Sequence, residues 1–559
     1  MSDSMLSSIS NLLPFGMDGT FFLFDDEYRS LPSIWVWMGL LLGGYLLSEL
    51  VFVLWVYKVR LPELNKPKDH PIIRKFEDPN IRHKLFERML RRQEVLCEAL
   101  DIDKKPYFAE FIRNWFFHGG DREDYDAEEE LACIKETGLP CKADIDSLIA
   151  WGFFQCKASD LTEEWQQREL AKMYAMIKET YNMEPGPKTK QRLIPVQMTV
   201  EDVDIRYRPL FVYLMNYICQ IFMAGLLYWQ GFSHYTTSTG LGYWYRPAPR
   251  PSEQQLQPLP FVFFHGIAPA GETFYVPMIT GGLGAVEGLA TDEKGNIDRP
   301  IFLFQNPAVA FNLTNHAPTE QETCDGVWEA VDKHLGPTAE VSLSGHSFGT
   351  CLETYILHST QAHRVRQMIM IDPVAICLSD PDVITNFVYG RSHHRDTKLH
   401  DSVMEPGAAS WVMNELFIEH FLRRQFAWYN GELFLEDIPD HCKLVVCLSD
   451  TDEICNAQKI KAHLDIYNGN TPNVPRCMKH LRKQDKSSIP TTTPLSSHPS
   501  NASSTGSLGE SANRQKIDVI YWEGEGIDHG SCLFNPSTWR QIRRMMRKQE
   551  LQIFKEKSL

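Results

Sequence analysis

The stretch Val341-Ser342-Leu343-Ser344-Gly345-His346-Ser347-Phe348-Gly349-Thr350 decides how this 559-residue chain folds. Its first four residues are typical of the end of a buried strand, and a helix can follow from Thr350. Gly345, Ser347 and Gly349 fit the pattern G-x-S-x-G, in which a serine stands on a sharp turn between a strand and a helix. The turn holds the serine hydroxyl at the top of the sheet, beside the first N–H groups of the helix. The alternative is a glycine-rich turn whose serine only caps the helix.

Short apolar segments alternate with helical segments on both sides of this stretch. Such an alternation indicates a mostly parallel sheet with helices on both faces, and hence an α/β fold. The predicted strands are residues 240–246, 261–265, 301–304, 341–344, 367–371, 443–448 and 518–522, and a predicted helix covers residues 322–335.

A serine hydroxyl becomes a nucleophile only when a base takes its proton and an acid orients that base. The candidate base is His529, just after the last predicted strand. The candidate acid follows the strand 443–448, where we favour Asp452 and keep Asp450 as the alternative. Asp372, at the end of the preceding strand, is a third candidate and is better explained by a structural role. The order Ser347, acid, His529 is the one that a serine on such a turn requires.

The oxyanion that forms after attack on a carbonyl needs N–H donors. We expect one donor at Phe348, directly after the serine, and the second at Ile267, after His265-Gly266 at the end of a predicted strand. The sequence predicts no cofactor and no metal site. A group of three histidines has no helical spacing and no supporting carboxylates, so we interpret it as non-ligating. These histidines are His393, His394 and His400.

Taken together, the motifs resemble the α/β-hydrolase superfamily, and most closely its membrane-anchored lipase- or esterase-like members. The resemblance covers residues 235–550. It implies a serine hydrolase that acts through an acyl-enzyme. Its oxyanion loop after Gly266 is less glycine-rich than in many members. The matching segments are Phe263-Phe264-His265-Gly266, Gly345-His346-Ser347-Phe348-Gly349, Asp450-Thr451-Asp452 and Asp528-His529-Gly530.

Residues 34–57 are apolar and aromatic over a length that can cross a bilayer as a helix, and residues 1–33 before them are mixed. Basic residues follow this segment and acidic residues precede it, so the positive-inside rule places the chain after residue 58 in the cytoplasm. The net charge of −16 argues against a nucleic-acid partner. The odd number of 13 cysteines, without a C-x-x-C pair, indicates reduced thiols.

Four further segments complete the predicted organisation. Residues 58–205 show mainly helical periodicity, and residues 209–232 form a second apolar segment that either spans a membrane or lies on it. Within the hydrolase region, residues 380–442 are predicted to form a cap over the site. Residues 482–514 are rich in Ser, Thr, Pro and Asn and are predicted to be a disordered insertion.

An anchor, a second apolar segment and an aromatic-rich cap together favour an ester substrate drawn from the bilayer, such as an acylglycerol. Two alternatives stay open, namely acyl transfer by the same residues and an inactive hydrolase fold that serves as a scaffold. The sequence does not specify the oligomeric state, the acyl chain or the leaving group.

Overall fold

The computed structural model describes residues 34–66, 78–118, 138–187, 193–249, 257–282, 287–314, 316–389, 412, 414–482 and 515–558. The predicted N-terminal segment, nearly all of the predicted disordered insertion and the three histidines at 393, 394 and 400 lie outside these residues. The chain divides into two compact units, and the boundary in the sequence lies between Arg60 and Leu61.

One eight-stranded sheet forms the centre of the larger unit. The strands pair in the order β1-β2-β4-β3-β5-β6-β7-β8. The pairs β1–β2 and β2–β4 are antiparallel, and the remaining pairs are parallel. Seven strands coincide with predicted ones to within two residues at each end, whereas β1 was not predicted. The strands are β1 (Ser233–Thr236), β2 (Gly242–Arg246), β3 (Phe261–Phe264), β4 (Ile301–Phe304), β5 (Val341–His346), β6 (Val365–Ile371), β7 (Lys443–Ser449) and β8 (Asp518–Trp522).

Helices cover both faces of this sheet. The helices of eight or more residues in the described segments are α1 (Ile34–Trp55), α2 (Pro79–Ala99), α3 (Lys104–Arg113), α4 (Lys142–Ile149), α5 (Glu164–Tyr181), α6 (Leu210–Trp229), α7 (Glu320–Leu335), α8 (Gly349–Leu357), α9 (Leu416–Arg424), α10 (Ala457–Tyr467) and α11 (Pro536–Ser558). Shorter helices are Leu61–Leu64, Val276–Thr280, Pro381–Phe387 and Trp428–Gly431.

Side chains of the central strands alternate between two apolar cores. In β3, Val262 and Phe264 belong to one core, whereas Phe261 and Phe263 belong to the other. Helices α7, α8 and α10 contribute to the first core, and α11 contributes to the second. Since successive residues of a strand point to opposite faces, unbroken apolar strands mean a sheet that is buried on both sides. The predicted parallel sheet with two covered faces is therefore confirmed.

In the part of the chain that the structure describes, two helical segments are long and apolar enough to cross a membrane, by length and composition alone. They are the continuous run Ile34–Leu64, of which α1 is the main part, and α6. Helix α1 contains no charged residue except Glu49, and nearly all its side chains are exposed. The run continues from α1 through a π-helical turn, Val56–Arg60, which carries the first two basic residues after α1, Lys58 and Arg60.

The described residues of the range 58–205, which was predicted to be mainly helical, form helices α2 to α5 and also four short strands. The strands form two small sheets, in which Phe116–His118 pairs with Leu193–Pro195, and Leu139–Cys141 pairs with Pro185–Gly186. From Leu61 onward, this region belongs to the same compact unit as the sheet. It is thus joined to the hydrolase-like part rather than set apart from it.

A buried group of four charged side chains, here called the ion cluster, joins α2 to the predicted cap and to α10. Arg92 of α2 donates to Asp380 over 2.7 Å and also pairs with Glu432. Lys459 of α10 reaches the second oxygen of Asp380 at 2.5 Å. All four side chains are at most 12% exposed. Two cations and two carboxylates balance one another inside the protein, where an unpaired charge would be very unfavourable.

Replacing Arg92 with Met should destabilise the protein strongly, because Glu432 would lose its cationic partner and Asp380 would lose one of its two while both stay buried. We expect a loss of about 3–5 kcal/mol in the free energy of unfolding. The matched control is Arg88→Met on the same helix. Arg88 pairs with Asp437 at 28% and 29% exposure, so its loss should cost at most about 1 kcal/mol. Denaturant unfolding of the full chain in detergent measures both values, and equal losses would contradict the assignment.

Candidate active site

Ser347 stands on a strained turn between β5 and α8. Its φ angle is +53°, a left-handed conformation that non-glycine residues rarely adopt. A Cβ atom on Gly349 would lie 2.2 Å from the carbonyl oxygen of Phe264, and one on Gly345 would lie 2.7 Å from Gly349. Both glycines of the motif are therefore needed for the backbones to approach this closely. The predicted strand, turn and helix at this position are confirmed.

The structure brings three of the predicted site residues into one chain of hydrogen bonds. The Nε2 atom of His529 lies 2.8 Å from Ser347 Oγ, and its Nδ1 atom lies 2.7 Å from Asp452 Oδ2. Because a carboxylate only accepts, Nδ1 carries a proton, and in the neutral imidazole Nε2 is left to accept from the serine hydroxyl. The other oxygen of Asp452 accepts the N–H groups of Ile454 and Cys455, both at 2.8 Å. These bonds hold the carboxylate in place.

The pKa of His529 depends on the carboxylates around it. Burial alone lowers the pKa of His529, but the charge and hydrogen bond of Asp452, together with the charge of Asp372, raise the pKa to about 9. The site therefore stabilises an imidazolium. That is the species a base becomes when it takes the proton of a serine.

The two other candidate acids have different partners. Asp450 accepts from Gln458 over 3.0 Å and from the hydroxyl of Tyr521. Asp372 accepts from the N–H and hydroxyl of Ser449 and, over 3.2 Å, from the N–H of Gly530. Burial, together with the charge of Asp452, raises the pKa of Asp372 to about 6. Asp372 thus joins the end of β7 to the loop of His529, as expected of a structural residue.

The predicted oxyanion donors, Phe348 and Ile267, both line the cavity that contains Ser347. Neither N–H group has an acceptor within the described residues. Gly266 precedes Ile267, and a Cβ atom there would lie 3.0 Å from the Cβ of Ser347. The absence of a side chain at position 266 therefore lets this loop approach the serine.

Two buried side chains behind the serine support this loop. The hydroxyl of Tyr275 accepts the N–H of Gly266 over 3.0 Å, so its proton is available for Nδ1 of His346 at 2.9 Å. Burial lowers the pKa of His346 well below its ordinary value, so His346 stays neutral and accepts. The sequence analysis missed Tyr275, because a tyrosine eight residues beyond the loop's predicted donor has no recognisable spacing.

Asn216 on α6 is a second residue that the sequence analysis did not assign to the site. Its side chain is 5% exposed. The amide oxygen accepts the N–H of Ala270 over 2.5 Å, and the amide nitrogen donates to the carbonyls of Ala310 and Phe311 over 3.0 and 2.9 Å. A polar residue inside an apolar helix was the available signal.

A cavity of about 620 Å³ opens above Ser347. Its walls are mainly apolar, and two parts of the chain form them. The oxyanion loop and Phe311 form one side, and residues of the predicted cap, such as Phe387, Leu422 and Phe426, form the other. Cavities of this size are typical of sites that enclose most of a small ligand. Within the described residues, the predicted cap therefore forms a wall of the site.

One group of side chains in the described part of the chain has the spacing of metal ligands, and it is the site itself. The group comprises Asp452, Cys455 and His529. Cys455 donates to the carbonyl of Pro373 over 3.5 Å, and the other two residues bond to each other and to Ser347. All three atoms thus already have protein partners.

Comparisons with known proteins give matches only at the level of three-dimensional structure. No family profile and no curated protein matches this sequence. Among solved structures, the naproxen esterase of Bacillus subtilis is similar at 12% identity, with 59% of this chain and 97% of that chain covered and a TM-score of 0.32. A membrane phospholipase A, described as a bacterial virulence factor, is similar at 10% identity, with 60% and 94% covered and a TM-score of 0.33.

A thermophilic esterase of Thermogutta terrifontis is similar at 13% identity, with 57% of this chain and 99% of that chain covered and a TM-score of 0.32. Scores this low carry no information about substrate. The sheet order and the serine turn show the fold instead, because a serine on a tight strand-to-helix turn above a mostly parallel sheet is the arrangement of the α/β-hydrolase fold. This chain has the α/β-hydrolase fold.

The contacts of Asn216 predict that this residue stabilises the hydrolase fold. Replacing Asn216 with Leu would leave a buried N–H and two buried carbonyls without their partner, so the free energy of unfolding should fall by about 2–4 kcal/mol. Gln220→Leu is the control, since Gln220 makes one part-buried bond to Asn312 and should cost about 1 kcal/mol. Denaturant unfolding in detergent checks the difference, and a loss at Asn216 no larger than at Gln220 would refute it.

Proposed function

We propose that this chain is a membrane-anchored serine hydrolase that cleaves ester bonds, and that its substrates are lipid esters. The observation that carries the proposal is the pair of short bonds from His529 to Ser347 and Asp452. A serine, a neutral imidazole nitrogen and an oriented carboxylate in this arrangement make a nucleophile out of an otherwise unreactive hydroxyl.

In the proposed reaction, Ser347 Oγ attacks the ester carbonyl while His529 Nε2 takes the hydroxyl proton. The carbonyl becomes an oxyanion, which the N–H groups of Phe348 and Ile267 stabilise. The carbon–oxygen bond to the leaving alcohol then breaks, and His529 protonates that alcohol. Water attacks the resulting acyl-enzyme with its proton going to His529, the acid is released, and the proton returns to Ser347. Asp452 stays ionised and stabilises the imidazolium.

The proposed lipid substrate rests on the apolar walls of the cavity and on the two apolar helical segments. An acyl chain can lie along walls that offer few polar groups apart from the catalytic ones. The run Ile34–Leu64 would hold the enzyme on the bilayer that contains the substrate. Basic residues directly after α1 favour a cytoplasmic position for the hydrolase part. Acyl transfer to another alcohol remains the alternative outcome for the same acyl-enzyme.

Labelling with a fluorophosphonate tests whether Ser347 is the nucleophile. Wild type should be labelled and should release fatty acid from an acylglycerol in vesicles, whereas Ser347→Ala should do neither. His529→Ala should lower turnover by several orders of magnitude, and the double variant should be no worse than the single ones, because the groups act as a unit. An unlabelled wild type would favour the scaffold, and acylated alcohol in place of free acid would favour the transferase.

The pH profile distinguishes the two acid candidates. Since His529 must be neutral to accept a proton, kcat/KM should rise with pH up to about 9, the pKa of His529. Asp452→Asn removes the charge that raises this pKa, so the rise should move to lower pH while turnover drops roughly 10²–10⁴-fold. Asp450→Asn should leave the pH of the rise unchanged and should lower turnover by no more than about twofold, since Asp450 bonds to Gln458 and Tyr521 rather than to His529. The reverse pattern would reassign the acid to Asp450.

A further inference from the structure

Helix α6 has an outward face of apolar side chains that no described residue covers. Ile221 and Phe222 are each 72% exposed, and Trp229 is 75% exposed. The face also includes Phe211, Leu214, Met215 and Ile218. Soluble proteins rarely leave a continuous apolar surface of this kind open to water, and where one occurs it marks a binding surface.

The opposite face of α6 is fixed to the protein by polar side chains. Tyr213 bonds to Glu415 over 2.5 Å, Asn216 bonds to the loops described above, and Gln220 donates to Asn312 over 2.9 Å. These residues recur every three to four positions and therefore lie on one side of the helix. With one side bonded to protein and the other apolar, α6 fits the surface of a bilayer better than its interior, where lipid would surround most of the helix.

The same helix forms part of the catalytic cavity. Val212 lines the cavity together with Ile267 and Phe311. Two further lining residues, Phe274 and Phe534, are 41% and 66% exposed, and their rings lie 6.4 Å apart. The apolar surface of α6 and the exposed part of the cavity wall therefore belong to neighbouring parts of one unit.

We propose that the outward face of α6 lies among the acyl chains at the surface of a lipid bilayer and positions the cavity to receive lipid from it. The inference deepens the proposed function and rests on it. Two observations favour lipid over a second copy of the chain. Arg206 and Arg208 precede the helix and Arg246 binds the carbonyl of Gln230 just after it, so positive charge stands near both ends, where anionic headgroups would be. The chain also carries a segment of membrane-spanning length, α1.

Cys219 provides a probe of this position, because it is an exposed thiol on α6 itself. The full chain with Cys477→Ser, which removes the exposed thiol outside α6 in the described residues, is labelled with an environment-sensitive fluorophore and reconstituted in phosphatidylcholine vesicles. Cys219→Ser in the same background gives the labelling blank. The lipids carry bromine either near the headgroup end or near the methyl end of their acyl chains.

A helix lying at the surface predicts stronger quenching by the bromine near the headgroups. Stronger quenching by the bromine near the methyl ends would mean that α6 crosses the bilayer, since Cys219 is at the middle of the helix. No quenching, with cross-linking of Cys219 between chains, would mean that a second copy covers the face. Either of the last two results overturns the proposal.

Turnover separates this inference from the proposed function. The variant Ile221→Glu with Phe222→Glu should lower, at least tenfold, the ratio of acylglycerol turnover in vesicles to turnover of a short water-soluble ester. The control is Leu551→Glu, an apolar position on α11 that is 54% exposed, and it should leave the ratio unchanged. An unchanged ratio in the double variant refutes the proposed role of α6 but leaves the proposed function untouched. If wild type hydrolyses neither ester and takes no fluorophosphonate label, the proposed function itself fails.

Discussion

The crowding of three backbone segments around Ser347 is the constraint on which the rest of the site depends. The end of β3, the turn after β5 and the start of α8 approach so closely that a methyl group at Gly266, Gly345 or Gly349 would meet backbone or the serine itself. The left-handed conformation of Ser347 follows from this approach. Its strain persists because the sheet and α8 are held from both sides by apolar packing.

Three neighbouring carboxylates differ through their surroundings rather than their chemistry. Asp452 has one oxygen held by backbone N–H groups and the other aimed at His529. The oxygens of Asp372 accept hydrogen bonds from Ser449 and Gly530. Asp372 therefore connects the loops that carry the proposed acid and base. Asp450 faces Gln458 and Tyr521. Asp452 therefore differs from the other two carboxylates in that it alone of the three accepts a hydrogen bond from His529.

The sheet was predictable because most of its strands are apolar along their whole length, and the serine motif marked where the site lies. Strand β1 was missed because it is at the edge of the sheet and is largely exposed, so Ser233–Thr236 carries no apolar pattern. The short strands at 116–118 and 139–141 were not predicted for a related reason, since three residues are too few to show an alternating pattern. The catalytic roles of Ser347, Asp452 and His529 stay predictions.

Contacts between distant parts of the chain could not be predicted in the same way. Periodicity identifies the faces of a helix but not the surface on which each face lies. Asn216 is a polar residue in an apolar segment, yet nothing local indicates that Ala270, Ala310 and Phe311 are its partners. The burial of Arg92 was equally hidden, because an arginine in a charged helix is usually exposed.

The ion cluster has a consequence for how this protein could have been assembled in evolution. Residues 233–558 contain every strand of the central sheet, so they could be taken for a module that moves from one gene to another. Such a transfer would leave Asp380 and Glu432 buried without Arg92, and the loop after Gly266 without Asn216. We therefore expect the helical region and the sheet to be inherited together, since transferring the sheet alone would leave these buried groups without their partners.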